Sequence, residues 1–457
     1  MAPPTPSSIL ILGSGVFGLS TAHALAHRQA YKDTEITLLE RLLFPAPDAA
    51  SIDSSRIVRA DYADPAYTRL MSEAHPHWRG EFGADGRYTE AGLCLVQDEV
   101  GGLDAGEAHE YLAKSMQNVK EKLGLKVGRR DDGGQVEPME TVEDVRRVTK
   151  TCGGDCGIRG YVNWTSGWAD AEEGMKYMRS LVEATGRVKF QTAEVKRLHY
   201  SLDRVEAVEL VSGERITADL IVLATGAWTP KLLDLRGIAS ATGQIRAYID
   251  ITEAEQKRLG GNPTLLCETN GMFIIPPRNN VLKVARHGYG YANPVTIAHP
   301  ERAESGEKIT VSLPRTKMDD PHMSIPPEGD AACRNYLRKC IPDLGDRPWS
   351  HTRICWYSDT PHGDWLVTYH PKYKNLFVAT GGSGHAYKFL PIVGERIVDI
   401  VSGEERDELG ATLRMKWSWP EKRKDVDHVW TDDWRGGRKG MVLDEEYAKG
   451  KNEGAKL

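Results

Sequence analysis

The chain lacks a membrane signature: none of its 457 residues belongs to a run approaching the roughly 18 apolar residues that a spanning helix requires. No secretory leader is expected either, since MAPPTPSS carries neither a charged start nor an apolar core of adequate length. No charge dominates. Lys+Arg total 59 against Asp+Glu 65, a net charge of −6, which leaves no electrostatic footprint for nucleic acid or an anionic membrane. An anionic substrate would therefore need local cations. Cysteine is scarce and odd in number, seven in all, scattered at Cys94, Cys152, Cys156, Cys267, Cys333, Cys340 and Cys355. That argues against a disulfide framework and, with the missing leader, points to a reducing intracellular setting. Cys152 and Cys156 invite a metal reading, but no second Cys/His pair follows at finger-like spacing, so they read as a loop and no metal is expected. There is no internal repeat.

What is present is an ordinary globular composition, 40% hydrophobic and 27% charged, in a chain long enough for two domains. Ser8 to Leu12 (SILIL) is a short apolar run of the kind buried in a parallel sheet. It leads at once into Gly13-Ser14-Gly15-Val16-Phe17-Gly18, then a helix over Leu19 to Ala26, then a strand over Glu35 to Leu39 ending at Glu40. This is a βαβ unit carrying a dinucleotide fingerprint in its proper context. Gly13 permits the tight turn, Gly15 lets a pyrophosphate approach the backbone, and Gly18 lets helix and strand pack closely. The helix N-terminus supplies free N–H groups. Glu40 can accept hydrogen bonds from ribose hydroxyls, and Val16, Phe17 and Arg41 stand alongside as nucleotide contacts.

Two further apolar strands end in glycine turns. Leu220 to Ala224 runs into Thr225-Gly226-Ala227-Trp228, and Leu376 to Ala379 into Gly381-Gly382-Ser383-Gly384-His385. Ligands of open α/β sheets sit at the carboxyl ends of strands, so the economical reading is one nucleotide domain assembled from separated pieces. The fold class is therefore α/β: a Rossmann-like nucleotide domain from residues 1–87, 156–238 and 358–420, and an α+β substrate domain with a large mixed or antiparallel sheet from 88–155 and 239–357. Within this frame a helix is expected over Asp170 to Ala184 with Asp170 as N-cap, a strand over Val188 to Phe190, and a hairpin over Arg204 to Ile216 turning at Ser212-Gly213. Pro314 to Asp330 reads as a surface loop. The charged tail, 421–457, reads as wrapping the surface. A fingerprint at the extreme N-terminus of a domain that closes only near residue 400 favours FAD over NAD.

At this point the chain resembles the D-amino-acid-oxidase-like flavoproteins, in the branch of monomeric sarcosine oxidase, pipecolate and saccharopine oxidases and fungal fructosyl amino acid oxidases. The likeness runs from Ile9 to about Ile400. It rests on the fingerprint, on Ser54-Ser55-Arg56-Ile57-Val58-Arg59, on Ile354 to Pro361 (ICWYSDTP), and on the Gly381 to Lys388 loop followed by Val393-Gly394-Glu395. The resemblance implies FAD bound covalently through Cys355, with Ser54, Ser55, Arg56, Ala224, Gly226, Trp228, Gly382, Ser383, Gly384, His385 and Lys388 among its contacts. It implies that Lys283 helps oxygen react near flavin N5, with His287 and Tyr357 at the catalytic centre. Arg59 and Lys388 match the pair that holds the substrate carboxylate, a planar fork and a point charge suited to that anion; Phe273 and Tyr357 would line the pocket. Fructosyl amino acid oxidases tend to carry Asn-Lys where this chain has Ser55-Arg56, which weighs against a glycated substrate.

The implied reaction oxidises the C–N bond of a secondary amino acid such as saccharopine, pipecolate, sarcosine or a fructosyl amino acid, with oxygen as acceptor and an imine and hydrogen peroxide as products. A tailoring oxidase of an N-methyl or cyclic amino acid in secondary metabolism, or a dehydrogenase using another acceptor, stays open. The resemblance implies a monomer. The final Ala455-Lys456-Leu457 matches a C-terminal peroxisomal address, with the import receptor as partner and the cytoplasm as the other location.

Overall fold

Alternate residues of the strand Ser8–Leu12 feed two different cores. Ile9 and Ile11 are buried in one hydrophobic cluster, Leu10 and Leu12 in another, because successive side chains of a strand point to opposite faces. The strand is thus covered on both sides, as its unbroken apolar run requires. In this computed structural model, which describes residues 5–98 and 103–454, it lies inside a six-stranded sheet. Glu35–Glu40 and Leu220–Leu223 flank it in parallel. Val188–Thr192 and Leu376–Thr380 extend the parallel array, and Leu366–Tyr369 closes one edge antiparallel.

The helix Val16–His27 covers one face, packed against Ala171–Ala184 and Val393–Ser402. Asp170 caps Ala171–Ala184 by accepting from the Glu173 amide at 3.1 Å, as its position before the helix suggested. Gly394 makes the contact with Val393–Ser402 feasible: a Cβ there would stand 1.8 Å from the Ser20 carbonyl oxygen. The opposite face carries the antiparallel strands Val195–Tyr200, Val205–Leu210 and Arg215–Ile216, the last two being the expected hairpin.

The second sheet has eight strands and is mixed. Its order is His351–Asp359, Ser240–Asp250, Val281–Arg286, Met272–Arg278, Thr264–Cys267, Leu93–Gln97, Arg159–Asn163 and Val136–Met139, with a parallel pairing at Thr264–Cys267 against Leu93–Gln97. Arg159–Asn163 comes from the stretch 156–238 that the sequence reading placed on the nucleotide side. Directly paired residues share a face, so Thr242, Gln244, Arg246 and Tyr248 stand beside Tyr357, Cys355, Arg353 and His351. The intervening Ala241, Ile245, Ala247, Ile354 and Trp356 point the other way, into a core closed by the helix Pro327–Cys340.

Two stretches depart from expectation. Pro314 to Asp330 is not a plain surface loop: Met323 and Ile325 are buried, and the helix Pro327–Cys340 starts inside it with proline in its first turn, where the missing N–H costs nothing. The tail does not simply wrap the surface. Arg435, Met441 and Leu443 are buried, and Gly436 exchanges backbone hydrogen bonds with both the His287 carbonyl (2.9 Å) and the Tyr289 amide (3.0 Å). A Cβ at Gly436 would stand 1.8 Å from the Asn270 carbonyl oxygen, so glycine is what lets the tail approach the sheet. High charge concealed these few anchoring residues. Among the described residues no helix is long and apolar enough to cross a membrane. Ala455-Lys456-Leu457 lies outside the described residues.

Candidate active site

Strand ends brought together from distant parts of the chain form one open cleft, with about 1310 Å³ of space between its walls when the solvent at its mouth is included. Gly13, Gly15, Val16 and Phe17 come from the first turn, Glu40 and Arg41 from the second strand, Ala224, Gly226 and Trp228 from the third. The last turn contributes Gly382, Ser383, Gly384 and His385. Gly13 has φ +103° and its Cβ would stand 2.5 Å from the Ala224 carbonyl oxygen; Gly18 would meet the Gly13 carbonyl oxygen at 1.8 Å. Both glycines therefore serve close packing. A Cβ on Gly15 or Gly226 would meet nothing within 4 Å, so the backbone is open to the cleft there.

These residues fit a dinucleotide. Glu40 Oε2 accepts from the Ser14 amide and hydroxyl, each at 2.8 Å, and its Oε1 from the Arg41 amide at 2.7 Å, which fixes the carboxylate at the rim. The Arg41 guanidinium lies 4.7 Å over the Trp228 ring and donates to Asp48 at 2.6 Å. Asp48 also lines the cleft, and its other carboxylate oxygen is buried without a partner, an acceptor waiting for a ligand donor. In the last turn Gly381, Ser383 and Gly384 have φ of +70°, +46° and +70°. This left-handed run lays the backbone along the cleft. The Ser383 amide donates to the Ser358 carbonyl (3.0 Å) and the His385 amide to the Gly382 carbonyl (3.0 Å), so those two amides are engaged within the protein.

The Ser54–Arg59 segment divides its labour. Ser54 is exposed and stands outside the cleft lining; Arg56 forms part of the wall. Ser55 turns its carbonyl to Lys283 Nζ (2.6 Å) and to the Arg56 guanidinium (2.9 Å). Cys355 is fully buried with Sγ 4.0 Å from the carbonyl oxygen of Ala50, a cleft residue.

Lys283 lies at the centre of a buried charge cluster. Its Nζ is 3.1 Å from Asp53 Oδ2, and Asp53 also takes hydrogen bonds from Arg56, from Arg246 and from the Tyr248 hydroxyl at 2.6 Å. Burial pulls the Lys283 ammonium down to about 7; Asp53 opposes this, while Arg56 and Arg246 add to it. Burial would raise the Asp53 pKa, but four neighbouring cations, Lys283, Arg56, Arg246 and Arg353, outweigh it and hold the carboxyl well below its usual range. Phe273, on the adjacent strand, places its ring 5.8 Å from Lys283 Nζ. His287 and Tyr357 pack with ring centroids 6.0 Å apart. Burial, with Arg435 and Arg59 nearby, drives the His287 pKa well down, so the ring is neutral.

Arg59 and Lys388 converge on Tyr62, the guanidinium 4.9 Å and the ammonium 5.0 Å from its ring. Lys388 Nζ donates to the Tyr62 hydroxyl (2.7 Å) and the His385 carbonyl (3.0 Å). The Tyr62 hydroxyl in turn donates a hydrogen bond to His385 Nδ1 at 3.1 Å, a direction set by His385 Nε2 donating to the Gly363 carbonyl at 2.9 Å. Arg59 donates to the Tyr111 hydroxyl at 2.9 Å and to the Asp61 carbonyl. Burial, reinforced by Arg59, pulls the Lys388 pKa well down.

Sequence reasoning missed Asp53, Tyr62, Tyr111, Glu268 and Arg435. Glu268 is 3% exposed, its Oε1 has no partner, and burial lifts it to about 7 against the pull of Arg59. Arg435 pairs with Asp433 and donates to the Ser383 carbonyl at 3.1 Å, leaving its buried Nε unpartnered. Asp53 sits three residues before Arg56, a spacing that could have flagged it. Nothing in the charged run around Arg435 separates it from a solvated tail.

Comparisons with known proteins agree with this geometry. The amino acid oxidase imqH of Aspergillus flavus is 32% identical, covering 91% of this chain and 98% of its own length. The L-saccharopine oxidase of Schizosaccharomyces pombe is 28% identical over 93% of this chain and 95% of its own. The crystal structure of a modified fructosyl peptide oxidase from Aspergillus nidulans superposes with a TM-score of 0.81 at 22% identity, covering 97% of this chain and 99% of that one, a likeness of fold. The family model for FAD dependent oxidoreductases (DAO) matches residues 8–400, and the chain belongs to that family.

Proposed function

We propose that the protein is an oxidase of a secondary, N-substituted amino acid, converting it to an imine with release of hydrogen peroxide. The observation that carries this reading is the pair Arg59 and Lys388. Lys388 is buried and Arg59 half-buried, yet the hydrogen bonds of both go to neutral oxygens, namely Tyr111 and the Asp61 carbonyl for Arg59, Tyr62 and the His385 carbonyl for Lys388. Buried cations without an anion are costly, and a substrate carboxylate seated between them offsets that cost. The substrate types named for the relatives, L-saccharopine and sarcosine, are secondary amino acids and fit such a clamp.

Bound FAD supplies the two-electron acceptor for the hydride leaving the carbon next to nitrogen. The chain does the positioning. Glu40 would take the ribose hydroxyls, the Gly13–Gly18 turn would hold the pyrophosphate, and the Gly381–Gly384 turn and Arg56 would hold the ring system. Cys355 would carry the covalent bond to the ring's 8-methyl carbon; its support is its place behind the cleft wall, against the carbonyl oxygen of the lining residue Ala50, with Arg246 close to the sulfur. Arg59 and Lys388 orient the carboxylate so that the amine faces His287 and Tyr357. Lys283, kept in place by Asp53, presents positive charge where oxygen takes up electrons. The protein works as a monomer, as do relatives named monomeric sarcosine oxidase, and Ala455-Lys456-Leu457 addresses it to the peroxisome.

The test is turnover on a panel of sarcosine, pipecolate, saccharopine and fructosyl amino acids, with peroxide and an artificial acceptor followed in parallel. Peroxide formed in step with imine supports the oxidase. Reduction of the acceptor without peroxide would show a dehydrogenase instead, and silence across all carboxylated amines would remove the clamp.

A further inference from the structure

Under the eight-stranded sheet, on the side away from Glu268, buried thiols gather. Cys267 ends the strand that delivers Glu268, but it points into the opposite core, which also holds Cys94, Cys152, Cys156 and Cys340. The innermost group is a triad. Cys156 Sγ lies 4.0 Å from the Gly154 carbonyl oxygen, in one buried core with Cys152 and Cys340, whose thiols are near enough to act on its ionisation. Cys152 Sγ also accepts from Asn262 Nδ2 at 3.1 Å, and the Cys340 thiol points to the Asp155 carbonyl at 3.8 Å.

Backbone contacts hold the triad together. Cys340 is the last residue of the helix Pro327–Cys340, and its carbonyl accepts from the Gly154 amide at 3.1 Å; the Lys339 carbonyl accepts from the Asp155 amide at 2.9 Å. A Cβ on Gly154 would stand 2.2 Å from the Lys339 carbonyl oxygen, so only glycine lets the turn 151–157 seat against the helix end. Gly153 and Asp155 of that turn are exposed while Cys152 and Cys156 lie buried beneath them. The thiols are therefore one residue below solvent. Among the described residues no group of three or more His, Cys, Asp or Glu is arranged to hold a metal.

We propose that Cys156 is a modification site for hydrogen peroxide, forming a disulfide with one of its two thiol neighbours, Cys340 or Cys152. In the first step the Cys156 thiolate attacks one peroxide oxygen. The O–O bond breaks, the departing hydroxide takes the thiol proton and leaves as water, and Cys156 becomes a sulfenic acid. The neighbouring thiol, losing its proton, then attacks that sulfur. The S–O bond breaks, a second water leaves, and the S–S bond closes. Two thiols lose two electrons and one peroxide becomes two waters. The neighbouring Cys152 and Cys340 thiols pull the Cys156 pKa down against its burial, and the same proximity with burial pushes theirs up. The oxidant is the product of the reaction proposed above, but the site requires only that peroxide be present.

The experiment adds hydrogen peroxide to the holoenzyme without substrate, so its outcome is independent of the amine oxidised. Free thiols are then alkylated and the denatured, unreduced protein is cut with trypsin. Cys152 and Cys156 share the peptide 151–159, and Cys340 opens the peptide 340–353. The expected result is loss of two alkylatable thiols. Either 151–159 appears lighter by two hydrogens, or it appears linked to 340–353, while Cys94, Cys267 and Cys333 remain alkylatable. Cys156→Ser is expected to keep turnover and lose the disulfide; should it not fold, the wild-type map decides alone. Cys156 still alkylatable after peroxide, Cys156 halted as a sulfinic acid, or the same pair lost in the serine variant would overturn the proposal.

Discussion

Lys283 Nζ lies 3.1 Å from Asp53 Oδ2, with both side chains at or below 3% exposure, and Arg56 and Arg246 share the same carboxylate. One buried anion thus serves three cations. The lysine is the weakest held of the three as a cation, because its ammonium can lose a proton and the guanidiniums cannot.

Removing that lysine should slow the oxygen step specifically. Lys283→Met is expected to lower the rate of reoxidation by about 10²–10³-fold, the usual cost of losing one preorganised electrostatic contact. Anaerobic reduction by substrate should change far less. Stopped-flow measurement of the two half-reactions checks this.

The same pair sets a pH dependence. The Lys283 ammonium has its pKa brought down to about 7, so its charge is present below that value and is lost as pH rises through it. Reoxidation should therefore fall above about 7. Asp53→Asn removes the main influence raising that pKa and should move the fall to lower pH; an unchanged midpoint would detach Lys283 from the step.

Arg59 and Lys388 are expected to act on binding of the carboxylate. Lys388→Met or Arg59→Met should each lower kcat/KM by roughly 10–10²-fold, the worth of a charge-assisted hydrogen bond of about 1.5–3 kcal/mol. The corresponding amine lacking a carboxylate should show no such drop. Steady-state kinetics on the matched pair of substrates distinguishes anion binding from general damage.

Cys355→Ala should release the cofactor. Acid precipitation of the native holoenzyme is expected to leave yellow colour in the pellet, and of the variant to leave it in the supernatant. Colour in both supernatants would show that the bond does not form.

Arg435→Ala tests whether the tail belongs to the site. It deprives the Ser383 carbonyl and Asp433 of their donor and should lower kcat/KM by roughly 10-fold or more. A purely surface tail predicts normal kinetics.

The parts legible in the sequence were those in which neighbours in the chain are neighbours in space. Gly13 to Glu40 form one βαβ unit whose turn, helix and acid are all local, and the DAO family match confirms the FAD-binding fold it announced. The parts not legible depend on long separations. Asp53 meets Lys283 across 230 positions, and Lys388 meets Tyr62 across 326. No periodicity links such pairs; they meet only because the loop residues Asp53 and Tyr62 fold against the strand Val281–Arg286 and the turn Tyr387–Phe389. Arg435 was hidden for a different reason. Its buried role depends on Gly436 reaching the backbone of His287 and Tyr289, and backbone pairing of an irregular tail leaves no pattern of apolar residues.

That last contact makes a segment late in the sequence part of the frame around the site. Arg435 is synthesised after every other residue described at the site, and the strand Leu376–Thr380, itself late, must slot beside Leu220–Leu223 to finish the nucleotide sheet. A nascent fragment of this protein has neither the complete cradle nor its last guanidinium. Loss of the segment that carries Arg435 would leave the Ser383 carbonyl without its donor even where both sheets are complete.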